Sequence, residues 1–304
     1  MPVKPPAEVE LTAGLVHALL AEQHPDLAGL PLRLAAHGWD NGTFRLGDDL
    51  AVRLPRRAAA ARLVEHEQQW LPTIARLSPV PVPAPVRVGV AGPGFPWSWS
   101  VVPWLAGTPA ADEAVVDRTA WAPALADALH AIHVPAPAGA PLNPVRGGAL
   151  AGRSTAFLER VRAGHLDGTA RDARARATAM WHDALEAPAW PGPAVWAHGD
   201  PHPANVVTHD GVLAALLDFG DITAGDPACD LATAWLTFDE AGRRRFRDRT
   251  DALADVPGAA PDAGRWRRAA GWALVMASAM VTHGEDDPTI SAIGHHAIAQ
   301  LLPD

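Results

Sequence analysis

Apolar residues fall at helical spacing through Leu11, Leu15, Val16, Leu19 and Leu20, and His24-Pro25 stops the run, which predicts a helix over 11–23. Leu32 to Leu34 and Gly42 to Leu54 read as strands, joined by a turn at 37–43 (HGWDNGT) rich in residues that tolerate unusual backbone angles. From Leu50 to Leu54 the pattern alternates, with Leu50, Val52 and Leu54 on one side and Ala51 and Arg53 on the other. A helix is predicted over 58–77, carrying Leu63, Trp70, Leu71 and Ile74. The proline-rich 79–85 (PVPVPAP) is an extended connection, and strands follow at 86–90 and 97–102 around a Gly92-Pro93-Gly94 turn. Beyond Pro103-Trp104-Leu105-Ala106-Gly107 the chain becomes helical, over 118–133, within 157–185, and over 239–254, 262–282 and 290–302. The Pro/Ala/Gly-rich 134–148 reads as a surface loop that could be mobile. The change at Pro103 predicts an α+β chain in two parts, a strand-rich 1–103 and a mostly helical 104–304.

One stretch of the second part breaks the helical pattern. Between Val195 and Ala232 lie two short apolar runs, Val206-Val207 and 212–217, separated by the hairpin signal Asp210-Gly211. Polar residues cluster at their ends: His198, Asp200, His202 and Asn205 before the first, Asp218 and Asp221 after the second. Charge sharpens this picture. No lysine or arginine falls between Arg176 and Arg243, while Asp183, Glu186, Asp200, Asp210, Asp218, Asp221, Asp226, Asp230, Asp239 and Glu240 all do. Converging acids repel one another unless a cation joins them. Magnesium takes oxygen ligands and keeps waters, so Asn205 and Asp218 with substrate phosphates form a natural ligand set. Asp200, five residues before Asn205, is then free to accept a proton from an attacking hydroxyl.

Earlier residues bear on the same chemistry. Ala51 and Arg53 on one strand face supply room for a base and charge for phosphates, although an exposed arginine would read the same way. Either Glu65 or Glu67 could pair with Arg53, or both could be surface carboxylates. The 37–43 turn could lie over phosphates or be an ordinary hairpin loop, since it lacks the GxGxxG spacing. The net charge of −9 argues against nucleic acid as the main partner and suits a cationic acceptor. No uncharged apolar run of 18 residues occurs, and MPVKPPAEVE lacks a signal-peptide core, so a cytoplasmic protein outside the membrane is expected. A lone cysteine, Cys229, excludes an internal disulfide or a cysteine cluster for zinc and reads as a small buried residue. The arginine run at 243–249 reads as a solvated helix face, and the twelve tryptophans as core packing.

His198-Gly199-Asp200 followed by Asn205 resembles the HxDxxxxN catalytic loop of kinases, and Leu217-Asp218-Phe219-Gly220 their metal-binding DFG. In the form HGDPHPAN, LDFGD and GDPACDLA the stretch is similar to the aminoglycoside phosphotransferase family, which shares the protein-kinase-like fold. Upstream, GWDN, AVRLPR, EQQWLP, PVPVPAP and WSVVPWLAG agree in order and spacing, so the resemblance spans roughly residues 30 to 285. It implies an N-terminal nucleotide-binding lobe over 1–103 and a C-terminal lobe over 104–304 with the catalytic loop and acceptor site. It implies that Asp200 is the catalytic aspartate, and that Asn205 and Asp218 bind magnesium. Ala51 and Arg53 take the alanine and lysine places of the nucleotide strand, and Glu67, more than Glu65, the glutamate that holds the cation. The backbone of Val102, Pro103 and Trp104 takes the place of the purine-binding hinge, and Asp226 and Asp230 resemble acids bracing the loop from below. Arg53 departs from the usual lysine. Lys4, the only lysine, lies before the first helix, and arginine keeps the charge and can fork onto a phosphate or Glu67.

The implied reaction moves the γ-phosphate of ATP or GTP to a hydroxyl of a small molecule, an aminoglycoside, macrolide or similar antibiotic. A kinase of an endogenous metabolite and a nucleotide-binding pseudokinase are the alternatives. A transition-metal hydrolase using His198, His202, Asp200 and Asp218 is a rival from another class. Asp239, Glu240, Glu285 and Asp286 are candidate acceptor contacts outside the loop, each equally readable as a surface acid.

Overall fold

The computed structural model describes residues 6–164, 166, 172–254, 261–284 and 286–303; Lys4 and Glu285 lie outside them. Helix α1 (Ala13–Gln23) starts where Thr12 accepts the Leu15 N–H at 3.1 Å, an N-cap. The next strands are β1 (Leu32–His37), β2 (Asn41–Leu46) and β3 (Leu50–Pro55). The run 42–54 is therefore two strands of a hairpin, turned at Gly47 with φ +60°. Then come α2 (Ala58–Leu77), β4 (Arg87–Gly89) and β5 (Trp99–Pro103). The five strands pair antiparallel in the order β1-β2-β3-β5-β4.

One face of this sheet, through Phe44, Val52 and Leu54, closes against Val16, Leu19 and Leu20 of α1 in a small core of its own. On α2 the buried positions Ala60, Val64, Glu67, Leu71 and Ile74 form a single stripe. Glu67 is the one acid in that stripe, which carries it to the Arg53 face of β3. The second and larger core takes Leu71, Ile74 and Val82 from this half and joins them to the helices that follow.

After β6 (Thr108–Pro109) come α3 (Ala122–Ile132), α4 (Ser154–Arg162) and α5 (Ala173–Leu185). The helix expected over 118–133 is split, its first turn being a 3₁₀ turn at Asp117–Ala120. Strands β7 (Val195–Ala197), β8 (Val206–His209), β9 (Val212–Leu216) and β10 (Thr223–Gly225) then form two small antiparallel ribbons, β10 with β7 and β9 with β8 and β6. Asp210 (φ 49°) and Gly211 (φ 75°) make the β8–β9 turn, as their sequence predicts. The chain ends in α6 (Ala228–Leu231), α7 (Thr233–Thr237), α8 (Glu240–Ala254), α9 (Arg265–His283) and α10 (Pro288–Leu301). Helix α9 is buried almost all round from Arg268 to Ser278 and is the post on which α4, α5, α6 and α10 pack. The result is the expected α+β architecture. Cys229, Trp99, Trp181, Trp196 and Trp272 are buried, and among the described residues no helix is long and apolar enough to cross a membrane.

Candidate active site

The loop His198 to Asn205 leaves β7 and returns as β8. Gly199 sits at φ +90°, and a Cβ there would stand 2.2 Å from the Asp221 carbonyl oxygen, so the close approach of the loop to the 218–221 turn requires glycine. From beneath, the fully buried Asp230 carboxylate accepts the backbone N–H groups of His198 and Gly199, each at 2.8 Å, and His133 Nε2 at 2.9 Å. Burial by itself would raise this carboxyl; the bonds from His133 and the loop amides outweigh it and hold Asp230 below the usual carboxylate range. Asp226 braces a different contact. It pairs with Arg268 of α9 at 2.6 Å, and Arg268 also holds Asp262 at 2.8 Å.

His198 is fully buried. Its Nε2 bonds the Leu217 carbonyl at 2.9 Å, and its Nδ1 accepts the Asp200 N–H at 3.3 Å. A carbonyl only accepts and an amide only donates, so both ring nitrogens are committed and neither can ligate a metal. The ring stacks on Phe219, with centroids 4.2 Å apart. Among the described residues no three His, Cys, Asp or Glu side chains are grouped to hold a metal by themselves. The transition-metal hydrolase reading therefore lacks its ligand set.

Asn205 and Asp218 are brought together by a backbone bond from Leu217 N–H to the Asn205 carbonyl at 2.8 Å. Asn205 Nδ2 donates to the Asp200 carbonyl at 3.0 Å, which leaves its Oδ1 without a hydrogen bond among the described residues. Asp218 holds a left-handed backbone, φ 54°. Its Oδ1 accepts Arg53 Nη2 at 3.2 Å and the Gly220 N–H at 3.4 Å, while Oδ2 has no such partner. One free amide oxygen and one free carboxylate oxygen are hard donors of the kind magnesium takes beside phosphate oxygens and water. The pair fits that ion.

Across from them, the buried Arg53 reaches Glu67 Oε1 with Nη1 at 3.4 Å as well as Asp218. Burial opposes its charge, yet the two acids hold the guanidinium above its ordinary value. Asp218 is also pulled up by burial, but Arg53 and the Gly220 amide bring it below the usual carboxylate range. Burial wins at Glu67, whose carboxyl is pushed up to about 7 against the pull of Arg53. Glu65 is the residue left out, at the surface near the Ser98 hydroxyl. Ala51 pairs with Val102 and Leu50 with Pro103, placing Ala51, Val102, Pro103 and Trp104 side by side on the β3–β5 pair. The Trp104 N–H donates to the Asp49 carbonyl at 2.7 Å, and Pro103 has no N–H.

Beside Asp218 lies a cavity of about 510 Å³; Ala51, Arg53, Glu67, Val102, Pro103 and Trp104 are not among the residues that line it. Asp200, His202, Asn205, Asp218 and Asp221 line it together with Gly38 to Asp40 of the β1–β2 turn, Asn41 of β2, Met276, Ala279 and Met280 of α9 and Ile290 of α10. Of the acids between Arg176 and Arg243, Asp200, Asp218 and Asp221 line it. Asp183 instead pairs with Arg267, Asp210 is at a hairpin tip, and Asp239 caps α8 by accepting the Gly242 N–H at 2.9 Å. Neither Asp239 nor Glu240 lines the cavity, whereas Asp286 does.

The residue that sequence reasoning missed is Arg146. The 134–148 segment is exposed at Leu142, as a surface loop should be, but Arg146 turns inward. Its Nη2 donates to Asp200 Oδ1 at 3.3 Å, and its Nε lies 3.6 Å from Asp221 Oδ2. Burial opposes the charge, and Asp200 and Asp221 hold the guanidinium well above its ordinary value. Burial raises Asp221, with Asp200 adding to the rise and Arg146 opposing it. The cation-free window from Arg176 to Arg243 was the available signal: three cavity acids with no local cation need one from elsewhere in the chain.

A search of curated proteins found no match. Among solved structures, the GDP complex of wild-type aminoglycoside 2'-phosphotransferase-IIIa superposes with a TM-score of 0.70 at 17% identity, covering 96% of this chain and 98% of that one. Macrolide 2'-phosphotransferase MphH from Brachybacterium faecium gives 0.61 at 22% identity, over 96% and 98%. The streptomycin-ATP complex of APH(2")-IIa gives 0.59 at 15% identity, over 92% and 93%. At these identities the likeness is one of fold. The phosphotransferase enzyme family (APH) matches residues 31–272, well over half of the sequence, and the chain belongs to that family.

Proposed function

We propose that the chain transfers the γ-phosphoryl group of ATP or GTP to a hydroxyl of a small antibiotic-like molecule, an aminoglycoside, macrolide or similar compound. The observation that carries this reading is a single cavity with Asp200 on its wall, the Asn205–Asp218 oxygen pair beside it and the Arg53–Glu67 pair behind Asp218. In this reading residues 1–103 hold the nucleotide and 104–304 the acceptor. Ala51 leaves room for the purine against the carbonyls near Val102 and Pro103. Arg53, set by Glu67, faces the phosphates. Asn205 and Asp218 hold magnesium, which when bound neutralises charge on the transferred phosphate. Asp200 orients the acceptor hydroxyl and takes its proton as the oxygen attacks phosphorus and the bond to the nucleoside diphosphate breaks. Positioning and charge neutralisation supply most of the acceleration.

The test is a coupled nucleoside-diphosphate release assay with ATP and GTP over aminoglycosides, macrolides, cyclic peptides and small metabolites. Wild type is expected to turn over with at least one antibiotic. Asp200→Asn is expected to lose nearly all turnover, keeping a small residual rate, while binding nucleotide as before. Wild-type turnover in Asp200→Asn would falsify the assignment.

A further inference from the structure

We infer that Arg146 is a positioning residue for the proton acceptor, setting the orientation of the Asp200 carboxylate and thereby the rate of transfer. The inference rests on the phosphotransferase reading of Asp200. Its first support is the set of contacts that Asp200 makes. The backbone is held several ways, through its N–H to His198 Nδ1 and its carbonyl to Asn205 Nδ2. The carboxylate is not. Among the described residues it has one hydrogen bond, to Arg146 Nη2, and beyond that only His202 Nε2 at 3.5 Å from Oδ2. A short acidic side chain with a fixed backbone still rotates about its two side-chain torsions, and one directional bond to Oδ1 restricts that rotation.

Its second support is the way Arg146 is itself fixed. Pro141 and Gly147, five residues before it and one after, are bonded to β10 and to Asp226, the residue that follows it. The Ala224 N–H donates to the Pro141 carbonyl at 2.8 Å, and the Asp226 N–H to the Gly147 carbonyl at 2.9 Å. Asn143 adds two further ties, Nδ2 to Asp221 Oδ1 at 2.7 Å and N–H to Thr223 Oγ1 at 3.0 Å. Gly147 is at φ +67°, and a Cβ on Gly225 would stand 2.1 Å from the Gly147 oxygen, so strap and strand are in tight contact. The guanidinium is thus referenced to the same turn that carries Asp218 and Asp221. Through it the orientation of the base is tied to the metal-side turn, and Asp200 and Asp221 share one cation instead of repelling each other.

The experiment measures kcat, acceptor KM, nucleotide Kd and thermal midpoint for wild type, Arg146→Met, Arg146→Lys, Asp200→Asn and the Arg146→Met/Asp200→Asn double variant. Misplacing a reacting group by about 1 Å can cost roughly a hundredfold in rate. Arg146→Met is therefore expected to lower kcat by about ten- to a hundredfold per nucleotide-binding site, with nucleotide Kd within about twofold of wild type. Arg146→Lys is expected to recover part of the loss. In the Asp200→Asn background Arg146→Met is expected to change the residual rate by less than about twofold, because its effect passes through Asp200. Wild-type kcat in Arg146→Met, or a lowered thermal midpoint with unchanged kcat per site, overturns the inference. An equal loss with and without Asp200 also overturns it. Should Arg146→Met fail to fold, Asn143→Ala loosens the strap with the guanidinium intact and is expected to show the same kcat-selective loss. Absence of transfer by wild type to every acceptor would sink the phosphotransferase reading itself, and this inference with it. Wild-type transfer that Asp200→Asn nearly abolishes but Arg146→Met leaves intact sinks the inference alone.

Discussion

Asp230→Asn removes the least possible from the point on which the catalytic loop rests. The carboxylate takes three donors, the His198 and Gly199 amides at 2.8 Å and His133 Nε2 at 2.9 Å, with no exposure to solvent. His198 and His133 share Oδ2, and Gly199 uses Oδ1. An asparagine has one accepting oxygen. Its better placement keeps His198 and His133 satisfied and sets an NH₂ against the Gly199 N–H. A buried donor left without an acceptor costs about 1–3 kcal/mol, and the two remaining bonds lose their charge assistance. The expected destabilisation is therefore about 2–4 kcal/mol at neutral pH, a fall in thermal midpoint of several degrees. Because the orphaned amide belongs to Gly199, next to Asp200, turnover should fall further than stability alone explains. The pH dependence follows from the depressed carboxyl. Asp230 is ionised in the native state at pH values where the unfolded chain, near 3.8, is already taking up protons. Its contribution is present above that value and lost as pH falls through the lower native one. The gap between wild type and Asp230→Asn should thus close below pH 3.8. Urea unfolding from neutral to acid pH with parallel kinetics is the measurement. A neutral-pH difference below about 0.5 kcal/mol, or a gap that widens with acid, would refute the reasoning.

Four further outcomes are expected. Gly199→Ala meets the Asp221 carbonyl at 2.2 Å in a left-handed backbone and should abolish turnover, read by the same kinetic assay, unless the loop and the 218–221 turn separate. Arg53→Lys cannot fork onto both Glu67 and Asp218 and should weaken nucleotide binding by about ten- to a hundredfold, one charge-assisted bond being worth about 1.5–3 kcal/mol, measured by titration calorimetry. Arg268→Met strips Asp226 and Asp262 of their buried cation and should cost about 3–5 kcal/mol of stability, with kcat per folded molecule nearly unchanged. Chelation of magnesium should stop phosphoryl transfer reversibly, and Asp218→Asn should raise the magnesium concentration needed for half-maximal rate.

Much of this architecture was legible one residue at a time. The alternation at 50–54 separated Val52 and Leu54, now in the small core, from Ala51 and Arg53 on the other face. The Asp210-Gly211 turn and the polar ends of the two apolar runs placed the hairpin of β8 and β9. These are period and turn signals, and they survive because neighbours in sequence enforce them. Less was visible where partners come from far along the chain. Residue pattern alone left Glu65 and Glu67 open, and Glu67 reaches Arg53 because it falls in the buried stripe of α2; Asp239, a candidate site acid, caps a helix.

What the chain's own order of residues determined is therefore the elements and the order of the motifs that carry Asp200, Asn205, Asp218 and Arg53. What tertiary structure decided is which acids keep a cation and which face a cavity. Arg146 lies 54 residues before Asp200, in a segment whose composition says only loop. Its partner is chosen by two backbone bonds from Ala224 of β10 and Asp226 just beyond it, and no local periodicity encodes a hydrogen bond between distant backbones. The electrostatics of Asp218 and Asp200, with Arg53 on the first and Arg146 on the second, follow from that long-range packing, because charge interactions depend on distance in space and burial, neither of which is written in sequence spacing.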